Sequence, residues 1–112
     1  MNNILIGKVG EKIVRDLLPK SIWLNELWEK CQSWDLEWRG LKIDVKTTTN
    51  KSKRGKAFKF GSQILDKNVV YVFVGIDGLK NYFWISQGKS VRWKKIKDSV
   101  PNLRIALLKI IS

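Results

Sequence analysis

Histidine is absent from the 112 residues, cysteine occurs once and proline twice. Without an imidazole there can be no Ser-His-Asp or Cys-His hydrolase, no His-dependent nuclease and no His-ligated zinc. Cys31 alone can close no disulfide within the chain and build no Cys-rich zinc site, which fits a reducing compartment. No apolar run is long enough for a bilayer, and Lys8, Glu11 and Lys12 come too early for a secretory signal, so a cytoplasmic protein without membrane contact is expected. Acidic side chains are also scarce, 10 against 22 basic ones, for a net charge of +12. Carboxylates, lysine and water are what remains for chemistry.

The positive charge is unevenly placed. Residues 1–38 carry six acidic and five basic side chains, whereas residues 39–112 carry four acidic and seventeen basic. The blocks Lys51 to Lys59 and Lys89 to Lys97 contain no acid. Such blocks mark a nucleic-acid footprint. The plainer alternative is that a lysine-rich surface keeps a small protein soluble.

A chain of this length and apolar content makes one domain, here taken as 1–112, with a modest core that oligomerisation would supplement. Residues 3–18 have the pattern of an amphipathic helix, with Ile6, Val9, Gly10, Ile13 and Leu17 on one face, an Asn2 or Asn3 cap and Pro19 as the stop. Segment 20–34 is compatible with strand or short helix. Residues 35–47 alternate polar and apolar about Arg39-Gly40, the pattern of a β-hairpin with those two at the turn. Residues 47–56 have no apolar member and predict a solvated, mobile basic loop. Beyond it, short strand 57–60, helical turn 62–66, central strand 69–76, a turn at Asp77-Gly78, a partner strand 82–85 and a basic strand or loop 91–96 are expected. The tail 103–111 is apolar enough to dock on the core as helix or strand. The whole predicts an α/β fold, a central mixed sheet flanked by helices.

Counting back from an Arg39-Gly40 turn, Trp38 opposes Leu41, Glu37 opposes Lys42, Leu36 opposes Ile43, and Asp35 opposes Asp44. Facing carboxylates destabilise a sheet unless something offsets their repulsion. A divalent cation does so, since Mg²⁺ is held by one or two carboxylates while phosphate and water complete its shell. Lys46 projects to the same face about 7 Å further along the strand, within reach of the same phosphate. Alternatively, Asp44 and Lys46 are solvated charges of an exposed strand.

Asp35, a short hairpin, then Asp44-Val45-Lys46 followed by Thr47 and Thr48 resembles the PD-(D/E)xK nucleases, the superfamily of many restriction enzymes, archaeal-type Holliday-junction resolvases and some homing endonucleases. The resemblance implies a restriction-endonuclease-like core, metal ligation by Asp35 and Asp44, and assistance to the attacking water by Lys46. Many members carry a glutamate on the first helix that extends the metal site. Gly7, Gly10 and Glu11 fit that pattern, with Glu11 roughly 40° from Gly7 on the helical wheel. Several branches have a glutamine after the lysine strand, and Gln63 is similar. Trp34 stands where the motif has proline, and Asp44 where glutamate is commoner. Glu11 could equally be a surface residue and Gln63 a polar residue at a helix start.

The resemblance thus implies a Mg²⁺-dependent DNA endonuclease, with Mn²⁺ able to substitute, acting on branched or duplex DNA. A structure-selective Holliday-junction resolvase stands first because the chain is minimal, a sequence-specific homing or restriction-type endonuclease second, and a non-catalytic nucleic-acid-binding module is the alternative of another class. Lys8, Lys51, Lys53, Arg54, Lys56, Lys59, Arg92, Lys94 and Lys95 are the candidate DNA contacts. Six tryptophans are mostly core filler. Trp93, among basic neighbours, is the best candidate for stacking on a base. Cutting both strands needs two sites, so a homodimer or higher symmetric oligomer is expected.

Overall fold

The computed structural model describes residues 3–24, 34–61, 65–89 and 92–111. Helix α1 spans Asn3–Leu17, and strand β1 is the two-residue Ile22–Trp23. Strands β2 (Leu36–Trp38) and β3 (Leu41–Thr48) form the hairpin at the expected register, Leu36 to Ile43, Glu37 to Lys42 and Trp38 to Leu41. Arg39 and Gly40 both have positive φ, 49° and 83°, as a two-residue turn matched to strand twist requires. Strand β4 is Ala57–Lys59, β5 Val70–Asp77, β6 Lys80–Gln87 and β7 Trp93–Lys95. A 3-10 turn at Ile96–Asp98 precedes helix α2, Leu103–Ile111, so the tail docks as a helix.

The fold is α/β, with a mixed five-stranded sheet ordered β1-β2-β3-β5-β6. Only the β3–β5 pair is parallel, and it sets Asp44 beside Tyr71 and Lys46 beside Phe73. Alternation along β5 divides the core in two. Val70, Val72 and Val74 join Ile43, Val45, Leu36 and Trp38 on one face, covered by Val14 of α1, by Leu18 just beyond its end, and by Leu103 and Leu107 of α2. Tyr71 and Phe73 join Trp84 on the other face, covered by Phe58 and Phe60. The sheet therefore has an aliphatic, helix-covered side and an aromatic side. Each fully buried Leu or Phe contributes about 1.5–3 kcal/mol on transfer grounds.

The buried stripe of α1 differs from the expected one. Gly10, Val14 and Leu18 are buried, while Val9 and Leu17 remain 38% and 42% exposed, so the helix is turned by roughly a quarter revolution. The cause is close approach at Gly10, where a Cβ would lie 1.7 Å from Thr47 Oγ1. Val9 cannot come as near to the sheet as a residue without a side chain.

The aromatic side is roofed by a second, two-stranded sheet, β4 with β7, in which Ala57 pairs with Lys95, Phe58 with Lys94 and Lys59 with Trp93. Phe58 is fully buried and sits on Gly75 of β5, where a Cβ would come within 2.6 Å of its ring. The Trp84 indole donates to the Lys95 carbonyl at 3.1 Å, a second tie between ribbon and sheet. Of residues 47–56, expected as a loose loop, Thr47 and Thr48 continue β3 and 49–56 make a closed turn. The Lys59 N–H donates to the Asn50 carbonyl, the Ser52 N–H to Ala57, and the Gly55 N–H to Ser52, while the Ser52 hydroxyl accepts from Lys56 and Ala57. Backbone pairing holds a segment that no apolar side chain could hold.

Candidate active site

Asp35 lies where the β2–β3 ladder ends. Its N–H donates to the carbonyl of Ile43, the residue already opposite Leu36, a two-against-one arrangement of the kind found at β-bulges. The ladder pairing of Asp35 with Asp44 inferred by counting along the hairpin is therefore replaced by a bend that turns the Asp35 side chain along the strand. Its Oδ2 accepts the Val45 N–H at 2.8 Å and so stands in for the backbone acceptor that β2 no longer supplies.

The two carboxyls nonetheless meet. Asp44 is 8% exposed beside Tyr71, and its carboxyl is pushed from 3.8 up to about 7. Burial is the largest cause, followed by a hydrogen bond with the Asp35 carboxyl and by its charge, while Lys46 pulls the other way. The Lys46 ammonium is 2.9 Å from Asp44 Oδ2. All three residues named by the sequence pattern thus converge, Asp44 and Lys46 on the aromatic side of the sheet.

Glu11 is elsewhere engaged. Helix α1 covers the aliphatic side, and Glu11 Oε2 accepts the Trp23 indole N–H at 3.2 Å. Among the described residues no three acids or cysteines group as metal ligands, so the structure brings together two carboxylates where three were expected. Gln63 lies outside the described residues.

The candidate DNA contacts separate into groups. Lys53, Arg54, Lys56, Lys59, Arg92 and Lys95 are exposed on or beside the β4–β7 ribbon, which joins the two acid-free blocks into one surface over the side that carries Asp44 and Lys46. Lys94 is half-buried on the ribbon's inner side with Phe58. Lys51 is committed to Asp77 at 2.8 Å. Lys8 is exposed on α1, on the far side of the sheet.

Some contributors were not anticipated. Tyr71 and Phe73 form the apolar floor that desolvates Asp44, and the Tyr71 hydroxyl is held by the Asp66 N–H at 2.8 Å. Lys42 sits 4.5 Å from the centroid of the Trp34 ring, whose indole donates to Glu37. Period-two reading of Val69 to Ile76 would have separated Tyr71 and Phe73 from the valines; nothing local announces the Trp34 cluster. No helix among the described residues is long and apolar enough to cross a membrane. No protein-family model, curated protein or solved structure matches the chain.

Proposed function

We propose that this chain is a metal-dependent DNA endonuclease with a restriction-endonuclease-like core, its chemistry carried by Asp35, Asp44 and Lys46. The supporting observation is the meeting of two carboxyls, one pushed toward its protonated form by burial and then by the other, with an ammonium 2.9 Å away. An all-oxygen pair of this kind fits Mg²⁺ or Mn²⁺, and such an ion would remove the repulsion that raises the Asp44 carboxyl. Asp35 and Asp44 would hold it, and it would supply charge neutralisation at phosphate and a more acidic water.

The chain's own residues do the rest. Val45 N–H fixes the Asp35 carboxylate, so that group is oriented before substrate arrives. Lys46, 35% exposed at its side chain, can exchange its bond to Asp44 for a phosphate oxygen and offset charge developing there. The ribbon's cations would hold backbone phosphates over the same side of the sheet, giving affinity that falls steeply with salt. A four-way junction is the first substrate in line and a specific duplex site the second. A symmetric dimer belongs to this reading, because cutting two strands needs two sites.

Cleavage of a labelled four-way junction and a matched linear duplex, in Mg²⁺, Mn²⁺ or EDTA, beside Asp44→Ala, tests it. Metal-dependent cutting lost in the variant is the expected result. Junction-restricted cutting would select a resolvase. Metal-independent binding with no cutting of either DNA would favour a non-catalytic binding module, a reading supported by the engagement of Glu11 with Trp23.

A further inference from the structure

The outer face of the β4–β7 ribbon carries more than charge. Because Phe58 and Lys94 point inward, their neighbours Lys59, Trp93, Ala57 and Lys95 point outward, in the pairs Lys59–Trp93 and Ala57–Lys95. Trp93 is 49% exposed, and the Lys59 ammonium stands 5.7 Å from its ring centroid, within cation–π range. Half of this large ring stands in water, and the rest lines a cleft with Trp84, Ile85 and Asp98 without joining the buried core, so core formation alone does not explain it. Beyond the Ala57–Lys95 pair lies an open cleft of about 640 Å³ with an apolar floor of Ala57 and Ile96 beneath Lys56, Lys95 and Lys97. Ring and cleft are about two strand residues apart, roughly 7 Å, the order of one nucleotide step of an extended strand.

From this order of ring, cation and basic apolar cleft we infer that the ribbon's outer face is a track for an unpaired stretch of DNA, with Trp93 stacking on one base and the cleft receiving the next nucleotide. Duplex offers phosphates to such a surface, but its bases are stacked on one another and present no face to the indole. The substrate class that follows is DNA with a single-stranded segment next to the cut: a flap, a gap or a branch point that opens. The inference rests on the nucleic-acid part of the function proposed above and is independent of whether the chain cuts.

The test is binding in EDTA, by fluorescence anisotropy, of a labelled oligo(dT) of roughly 20 nucleotides, the matched duplex, and an abasic strand with the same phosphates. Wild type should hold oligo(dT) about tenfold more tightly than the abasic strand, and Trp93→Ala should erase that difference while leaving the abasic affinity unchanged. Trp93→Phe should retain most of it, and thermal melting of both variants should match wild type. Lys95→Ala should weaken oligo(dT) and abasic strands alike, lowering the salt slope by about 0.7. Equal binding of oligo(dT) and abasic strand, tighter binding of duplex, or a Trp93→Ala variant that still discriminates would overturn the inference. Trp93-dependent binding by a protein that cuts no DNA would overturn the nuclease reading alone, whereas metal-dependent cutting without it would overturn only this one.

Discussion

The Lys46 ammonium lies 2.9 Å from the Asp44 carboxylate two residues before it on β3. The pair projects from one face of one strand, so the contact is fixed by backbone pleat and needs no long-range fold to form. Lys46 does not fully compensate its neighbour. Asp44 still titrates near 7, because burial and the Asp35 carboxyl outweigh one half-exposed cation.

Asp44→Asn should therefore make the metal-free protein more stable. The substitution keeps the shape, removes the charge that burial penalises, and gives Asp35 an amide donor. A carboxyl shifted from 3.8 to about 7 corresponds to a net cost on the order of 4 kcal/mol at high pH, the attraction of Lys46 already included. A gain of about 1–3 kcal/mol in urea unfolding is expected, together with loss of cutting. A less stable Asp44→Asn protein would refute this account of the site.

The pH dependence has a definite sign. The folded carboxyl binds its proton more tightly than the unfolded one, so between roughly pH 4 and 7 the folded state holds more protons. The stabilising contribution is whole below about pH 4 and lost as pH rises through 7. Urea midpoints of wild type and Asp44→Asn in EDTA should lie close together at about pH 4 and diverge progressively to about pH 8, wild type being the lower.

Glu11 separates the resemblance from the geometry. If its work is to receive the Trp23 indole, Glu11→Gln should cut within about threefold of wild type, while Asp35→Asn and Asp44→Asn lose on the order of a hundredfold or more. Initial rates under saturating Mg²⁺ decide. A Glu11→Gln loss as large as that of Asp35→Asn would return Glu11 to the metal site.

Gly10→Ala should cost about 1–3 kcal/mol, because the new methyl meets Thr47 Oγ1 and Cγ2 with no room to yield. Thr47 Oγ1 is itself buried without a hydrogen-bond partner, so Thr47→Ala should be nearly neutral. In Gly10→Ala/Thr47→Ala the loss should shrink, and a double-mutant cycle from denaturant curves reads the coupling. Additive losses would mean that the contact does not position the helix.

The hairpin was legible because it is local: turn residues, alternation and register between Leu36 and Lys42–Ile43 are set within a dozen residues. Asp44 and Lys46 followed from the same alternation. The bend at Asp35 was not legible, since it arises where β2 ends and β1 joins, with the Leu24 N–H donating to the Asp35 carbonyl. The facing of α1 was misread for a similar reason. Helical spacing alone fits Val9 and Leu17 to the core, and only the tertiary contact of Gly10 with Thr47 selects the other stripe. Charge counting found both basic blocks; their union into one ribbon depended on pairing between distant residues, Lys59 with Trp93 in one rung and Phe58 with Lys94 in the next.

Gly75 gives the molecule a gauge. The height at which the ribbon rides over the sheet is set where the Phe58 ring rests on bare backbone, so a single missing carbon fixes the spacing of the two sheets across the aromatic core. Any side chain there would lift the ribbon by roughly an ångström, since a packed interior has no slack to absorb it. The distance between the two layers is thus written into the most deeply buried strand, in a residue that has no side chain of its own.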